Sequence, residues 1–171
     1  QPNIDPYEEK FVASDLEQAN ELFALIKPEL TPTTDLILAP ETYFTEGFGY
    51  SLPSLSSSFL YQSISEELSR IEPIQLLTGI QLYQVYSEAD KTPTSNKMGN
   101  QWVDFYNSAF LSGTNSLQVY HKSKLVVGTE TLPYKQIIEP LFGNIMLDLG
   151  GTVRSRAVDT DRKVFQLKNG S

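Results

Sequence analysis

A glutamate that directly follows an apolar run is the first candidate for chemistry. Glu41 comes after Leu38-Ala39-Pro40, at the end of the run from 35 to 40. The run is typical of a short strand buried on both faces of a parallel sheet. Because α/β folds place active sites at the C-terminal ends of such strands, a low-dielectric setting there would suit Glu41 to general-base work. The alternative is a surface glutamate that opens a loop, and this segment taken alone favours that alternative.

Two lysines that follow a predicted hairpin strand are the next candidates. Tyr106-Asn107-Ser108-Ala109 leads into the turn Gly113-Thr114-Asn115, and the returning strand ends near Lys122 and Lys124. An ammonium there could stabilise an oxyanion or hold a nearby carboxylate in its charged form. Alternatively, the lysines lie on an edge strand, where charges deter unwanted pairing. The two share parity, so strand alternation places both on one face and does not choose between them.

A second acidic residue lies within a loop's reach of these lysines. Glu130 belongs to the segment Gly128-Thr129-Glu130-Thr131-Leu132-Pro133-Tyr134, which is otherwise typical of a turn before a helix. The 171 residues contain no cysteine and one histidine, His121. Disulfides, thiolate metal sites and thiol catalysis are therefore excluded within the chain, and a histidine-based triad or zinc site would have a single candidate.

Composition describes an acidic globular domain. The formal net charge is −8 and the sequence pI is about 4.6, so phosphate backbones are repelled and nucleic acid is an unfavourable partner. No apolar stretch is long enough to cross a bilayer. The chain begins without a start methionine or signal peptide, and we interpret it as a piece of a larger protein.

Alternating helices and strands must position these candidates. A capping box at Ser14 and Glu17 opens the first predicted helix, and Pro73 ends the second. The predicted helices cover 15–27 and 59–71; the predicted strands cover 35–40, 74–86, 103–111, 117–121 and 164–167; the predicted loops cover 50–58 and 87–101. This order favours an α/β fold with helices packed on a sheet, in a single domain spanning 1–171.

Read together, the candidate segments resemble the nitrilase superfamily of carbon–nitrogen hydrolases. The shared features are Pro-Glu after an apolar strand, Tyr-Asn-Ser-Ala on a hairpin strand, Tyr-x-Lys-x-x-Leu-Val, and Gly-x-Glu-x-x-Pro, in that order as far as about Tyr134. Within the superfamily the chain is most similar to the catalytic domains of apolipoprotein N-acyltransferases, which the opening Gln1-Pro2-Asn3-Ile4-Asp5 also resembles. One departure is Val126-Val127, where the family usually has Val-Pro.

The resemblance implies a fold and a set of catalytic roles. It implies the N-terminal part of a nitrilase-like α-β-β-α sandwich, a mixed sheet with helices on one face. Of the family's Glu-Lys-Cys triad, Glu41 would be the general base and Lys122 the oxyanion stabiliser, with Lys124 less favoured, and Glu130 would be the additional active-site glutamate. The family needs no cofactor. Its cysteine lies on a later strand, so we expect this chain to be truncated before that strand and inactive by itself.

The resemblance also implies a reaction and a location. An N-acyltransferase of this kind moves a fatty acyl chain from a phospholipid to the N-terminal cysteine of a lipoprotein, at the bacterial inner membrane with the catalytic domain facing the periplasm. Membrane helices would lie outside this chain, and residues 43–60 would form either a lid that meets lipid or ordinary core. The alternatives are a soluble amidase of the superfamily and a non-catalytic nitrilase-like binding domain. Loss of later strands would expose a sheet edge, so self-association is also expected.

Overall fold

The computed structural model describes residues 14–71, 73–113, 116–126 and 156–168, and these form a mixed α/β fold. The helices are α1 (Asp15–Ile26) and α2 (Phe59–Ser69), with short 3-10 helices at Lys27–Glu29 and Leu52–Ser57. The strands are β1 (Leu36–Leu38), β2 (Tyr50–Ser51), β3 (Gln75–Tyr86), β4 (Asn96–Met98), β5 (Gln101–Gly113), β6 (Ser116–His121) and β7 (Arg156–Ala157). The predicted helices and the predicted α/β class are thereby confirmed.

The two long strands β3 and β5 form the centre of the sheet. They pair antiparallel from Leu76↔Ser112 to Tyr86↔Trp102. β1 and β2 run parallel to β3, β4 and β6 run antiparallel to β5, and β7 runs parallel to β5. The sheet is therefore mixed. The predicted hairpin is confirmed as β5 and β6, while its turn residues 114 and 115 lie outside the described residues.

Both α-helices contribute to one hydrophobic core with the sheet. Leu22 and Phe23 of α1 and Ile64 and Leu68 of α2 are buried together with alternate residues of β3, namely Leu76, Ile80 and Leu82. Each such side chain contributes roughly 1.5–3 kcal/mol when fully buried. The capping box predicted at the start of α1 is present, with the Glu17 amide bonded to the Ser14 hydroxyl and the Glu17 carboxylate bonded to the Ser14 amide. Opposite this core lies the second face of the sheet, which carries the odd-numbered residues of β3.

Strand β1 differs from its prediction. It pairs parallel with β3 as expected, but only Ile37 is buried, and Leu38 is 69% exposed. β1 stands at the end of the described strand order. Leu38 pairs with Leu77 and lies on the face of the sheet opposite the core. The inference of burial on both faces is therefore wrong, because an apolar run alone does not distinguish an edge strand from a central one.

Three other predicted segments also differ. The region 50–58, interpreted as loop, forms β2 and a 3-10 helix, and 164–167 forms no strand. The polar region 87–101 contains β4. The hydroxyl groups of Thr92 (2.7 Å) and Thr94 (3.0 Å) in this region donate hydrogen bonds to the buried carboxylate of Asp104. Polar composition predicted a loop there, but the region pairs with β5 through β4 and donates hydrogen bonds to a buried carboxylate.

Residues 43–60 are core only in part. Phe44, Leu55 and Leu60 are buried, whereas Phe48 and Phe59 are exposed. Among the described residues, no helix combines the length and the apolar character that spanning a membrane requires.

Candidate active site

Glu41 is presented by a short arch, residues 41–43, between two points where the chain pairs with β3. Before the arch, the Ala39 amide donates to Leu77 O (2.9 Å) and the Gly79 amide donates to Pro40 O (3.1 Å). After it, the Phe44 amide donates to Gly79 O (3.2 Å). Thr42, inside the arch, has φ +54°, which is unusual for a β-branched residue. Such a conformation persists only where the surroundings impose it, so the arch is held at both ends.

Gly79 provides the space for the arch. A Cβ atom at this position would lie 2.8 Å from Glu41 Cα and closer still to the backbone nitrogen of Thr42. Glycine inside a strand marks a close approach of another backbone segment, and here that segment carries Glu41. The glycine is visible in the sequence within a predicted strand, but the partner that approaches it is not.

Lys122 is fixed by the neighbouring strand pair. Its amide donates to Asn107 O (2.8 Å), which extends the β5–β6 pairing by one residue beyond His121. Its Nζ lies 2.8 Å from Glu41 Oε1. The structure therefore brings together two of the residues singled out in the sequence. Lys124 lies beyond the end of β6 and is exposed, and within the described residues it forms no ion pair. Glu130 lies outside the described residues.

Asn107 is a further member of the cluster. Its Nδ2 donates to Glu41 Oε1 at 3.0 Å, the same oxygen that accepts from Lys122. The motif Tyr-Asn-Ser-Ala contains this asparagine, but no role was assigned to it from the sequence. The signal that could have found it is the predicted hairpin, because its pairing places Asn107 and Lys122 opposite each other on one face of the sheet.

A pocket of about 350 Å³ adjoins the three polar side chains. It is lined by Gly79 of β3 and its register partner Ala109 of β5; the arch occupies the space above Gly79, so the small side chain of Ala109 leaves the room beside it. Leu38, Leu77 and Tyr120 supply apolar walls. The arrangement places one carboxylate, one ammonium and one amide at the edge of a mostly apolar recess, which suits a ligand with a polar reacting group and an apolar body.

The ion pair is only partly shielded from water. The side chain of Glu41 is 64% exposed and that of Lys122 is 28% exposed. The low-dielectric setting expected for Glu41 is therefore not found among the described residues, because β1 is the outermost described strand on its side and the arch projects from it. A pair with this exposure contributes at most about 1 kcal/mol to stability.

His121 takes no part in this cluster. Its Nδ1 lies 2.7 Å from the Ser108 hydroxyl and its ring stacks on Tyr106 with centroids 4.2 Å apart, on the core side of the sheet. Burial lowers the pKa of His121, while the carboxylate of Asp159 acts in the opposite sense. In the part of the chain that the structure describes, no group of three His, Asp or Glu side chains gathers as metal ligands would.

No family model matches the chain. No curated protein is significantly similar to it.

Proposed function

We propose that this chain carries the general base and the lysine of a nitrilase-type acyl-transfer site. The observation that carries the proposal is the convergence of Lys122 Nζ and Asn107 Nδ2 on one carboxylate oxygen of Glu41 beside an apolar pocket. In this proposal the mixed sheet and its two helices are the N-terminal part of an α-β-β-α sandwich, most like the catalytic domain of apolipoprotein N-acyltransferases. Glu130 is the additional active-site glutamate.

The geometry suits proton transfer by Glu41. Oε1 accepts from Lys122 and Asn107, whereas Oε2 makes no hydrogen bond to any described residue. Oε2 takes the proton of a cysteine thiol, and the thiolate attacks the acyl carbonyl. The ammonium of Lys122 stabilises the tetrahedral oxyanion. When the intermediate collapses, the bond to the leaving group breaks, Glu41 returns the proton to that group, and a thioester remains.

The nucleophile comes from outside these residues. The chain has no cysteine, so the proposal requires a thiol from another polypeptide segment. The proposed acyl donor is a phospholipid and the proposed acceptor is the N-terminus of a lipoprotein, at the bacterial inner membrane on its periplasmic side. Apolar side chains support an acyl substrate, because the pocket is lined by Leu77 and by the exposed side chain of Leu38.

Chemical rescue tests the proposal on the chain itself. The assay supplies 2-mercaptoethanol as the thiol and p-nitrophenyl butyrate as the acyl donor, and measures thioester formation by mass spectrometry. We expect thiol-dependent acceleration that the Glu41→Gln and Lys122→Met variants lose. The acceleration should not exceed the roughly 10²-fold at the lower end of general-base catalysis, since the thiol is not tethered.

Lys124→Met is the matched control, because Lys124 lies two residues from Lys122 and forms no ion pair within the described chain. It should retain the wild-type rate. Equal rates for the wild-type and Glu41→Gln chains in the presence of thiol would contradict the assigned role of Glu41.

A further inference from the structure

The segment that follows the Glu41 arch is held by the first turn of α1. Asp15 is 1% exposed, and its two carboxylate oxygens accept from the backbone amides of Thr45 (3.1 Å) and Glu46 (3.0 Å). The contact is reciprocal, because the Asp15 amide donates to Glu46 Oε2 at 3.2 Å. One residue after Thr42, the Tyr43 hydroxyl donates to Gln18 O of the same helix (3.2 Å).

Burying a carboxylate costs desolvation free energy, so stability alone does not explain a buried aspartate at position 15. Burial raises the pKa of Asp15, although the amides of Glu46 and Thr45 and the hydroxyl of Tyr50 act in the opposite sense. Buried charges are often replaceable by apolar residues without loss of stability, and some are retained because they specify one conformation. The conformation that Asp15 specifies is that of residues 45 and 46, directly after the arch.

We propose that Asp15 is a positioning residue for Glu41. The pairing of Phe44 with Gly79 holds the end of the arch on the sheet. The bonds of Asp15 to residues 45 and 46, just after the arch, and the bond of Tyr43 within it hold the same segment to α1. Together these contacts sustain the left-handed backbone at Thr42, which directs Glu41 toward Lys122. The inference rests on the proposed function for its meaning, but its test does not depend on turnover.

Competitive labelling of lysines measures the Glu41–Lys122 contact directly. An opposite charge nearby favours the protonated form of a lysine, and only the neutral amine reacts with a small activated ester such as N-acetoxysuccinimide. Lys124 serves as internal reference, so the readout is the ratio of Lys122 to Lys124 acetylation by mass spectrometry. Glu41→Gln should raise this ratio by about two- to fivefold, the factor for losing a partly exposed ion pair.

Asp15→Asn should raise the ratio by a similar factor, because one amide group cannot accept both backbone N–H groups and Glu41 then leaves Lys122. In the Glu41→Gln background, Asp15→Asn should have no further effect. Asp104→Asn is the matched control: Asp104 is also a buried carboxylate with two donors, but its partners lie in the region 87–101. It should leave the ratio unchanged.

The outcomes separate the two proposals. If Glu41→Gln leaves the ratio unchanged, the ion pair does not form in solution, and both the site and this assignment fail. If Glu41→Gln raises the ratio and Asp15→Asn does not, the positioning role alone is overturned. Should Asp15→Asn fail to fold, Tyr43→Phe removes one of the same restraints and should give a smaller rise. No rise in that variant, with the wild-type circular dichroism spectrum retained, would then overturn the assignment.

Discussion

The close approach of the Glu41 arch to Gly79 makes a sharp prediction for Gly79→Ala. A methyl group at this position would lie 2.8 Å from Glu41 Cα, whereas carbon atoms in contact are about 3.5–4.0 Å apart. The obstructing atoms belong to the backbone and cannot rotate away, so the arch must move outward by about 1 Å. Such a shift breaks the bonds of 3.1 and 3.2 Å that join Gly79 to Pro40 and Phe44.

The magnitude follows from these two bonds. Each contributes about 0.5–1.5 kcal/mol, so their loss destabilises the fold by about 1–3 kcal/mol. Replacing glycine by alanine also restricts the unfolded chain, which offsets about 0.4–1 kcal/mol. With mid-range values of about 2 kcal/mol for the bonds and about 0.7 kcal/mol for the offset, we expect the free energy of unfolding to fall by about 1.3 kcal/mol. The ion pair between Glu41 and Lys122 should weaken at the same time, since the arch carries Glu41.

The measurement is urea unfolding followed by the fluorescence of Trp102, the only tryptophan of the chain. Gly113→Ala is the matched control in the same sheet. The nearest neighbours of a Cβ atom there would be side-chain atoms of Gln75 and Ser116 at 3.0–3.2 Å, so side chains must shift but no backbone segment lies in the way. We expect that variant to lose less stability than Gly79→Ala. A Gly79→Ala protein as stable as the Gly113→Ala protein, with Lys122 still shielded from acetylation, would refute the reasoning about the arch.

Three further predictions concern activity, pH and association. The unmodified chain should show no acyl-transfer turnover in the absence of added thiol, because Glu41 and Lys122 have no cysteine in the chain to serve; turnover of p-nitrophenyl butyrate without thiol that Glu41→Gln abolishes would refute this. Because burial lowers the pKa of His121, the unfolded state binds more protons than the folded state, so stability should fall as pH decreases below about 6.5. The free energy of unfolding should fall by roughly 1.4 kcal/mol for each pH unit by which folding lowers this pKa. Urea unfolding measured from pH 8 to pH 5 should show the fall in the wild-type protein and a smaller fall in the His121→Gln variant. The exposed apolar residues Leu38 and Val85 should promote self-association, and a monodisperse monomer by light scattering at high concentration would speak against it.

The sequence predicted those elements whose signals are local. The capping box of Ser14 and Glu17, a signal only four residues long, marks the start of α1. The helical spacing of apolar residues from Phe59 predicts α2. The hairpin of β5 and β6 follows from two β-rich runs around a turn. These signals are encoded by neighbouring residues, so they do not depend on the rest of the fold.

What the sequence did not predict depends on distant partners. The exposure of Leu38 is set by the absence of a described strand beyond β1, and the arch at Thr42 is set by Gly79, thirty-seven positions away. The choice between Lys122 and Lys124 is made by the end of β6, since parity treats the two lysines alike. Asn107 gained a role only when the register placed it beside Glu41.

The span of the site along the chain has a consequence for folding. Glu41 is separated from Asn107 by 66 residues and from Lys122 by 81. Contacts of high sequence separation require large loops to close first, so they form slowly compared with the capped helices. The ion pair therefore completes only after β1, β3, β5 and β6 have all assembled. In a stopped-flow refolding experiment, shielding of Lys122 from a pulse of amine-reactive ester would report the last stage of sheet assembly, well after helical circular dichroism is regained.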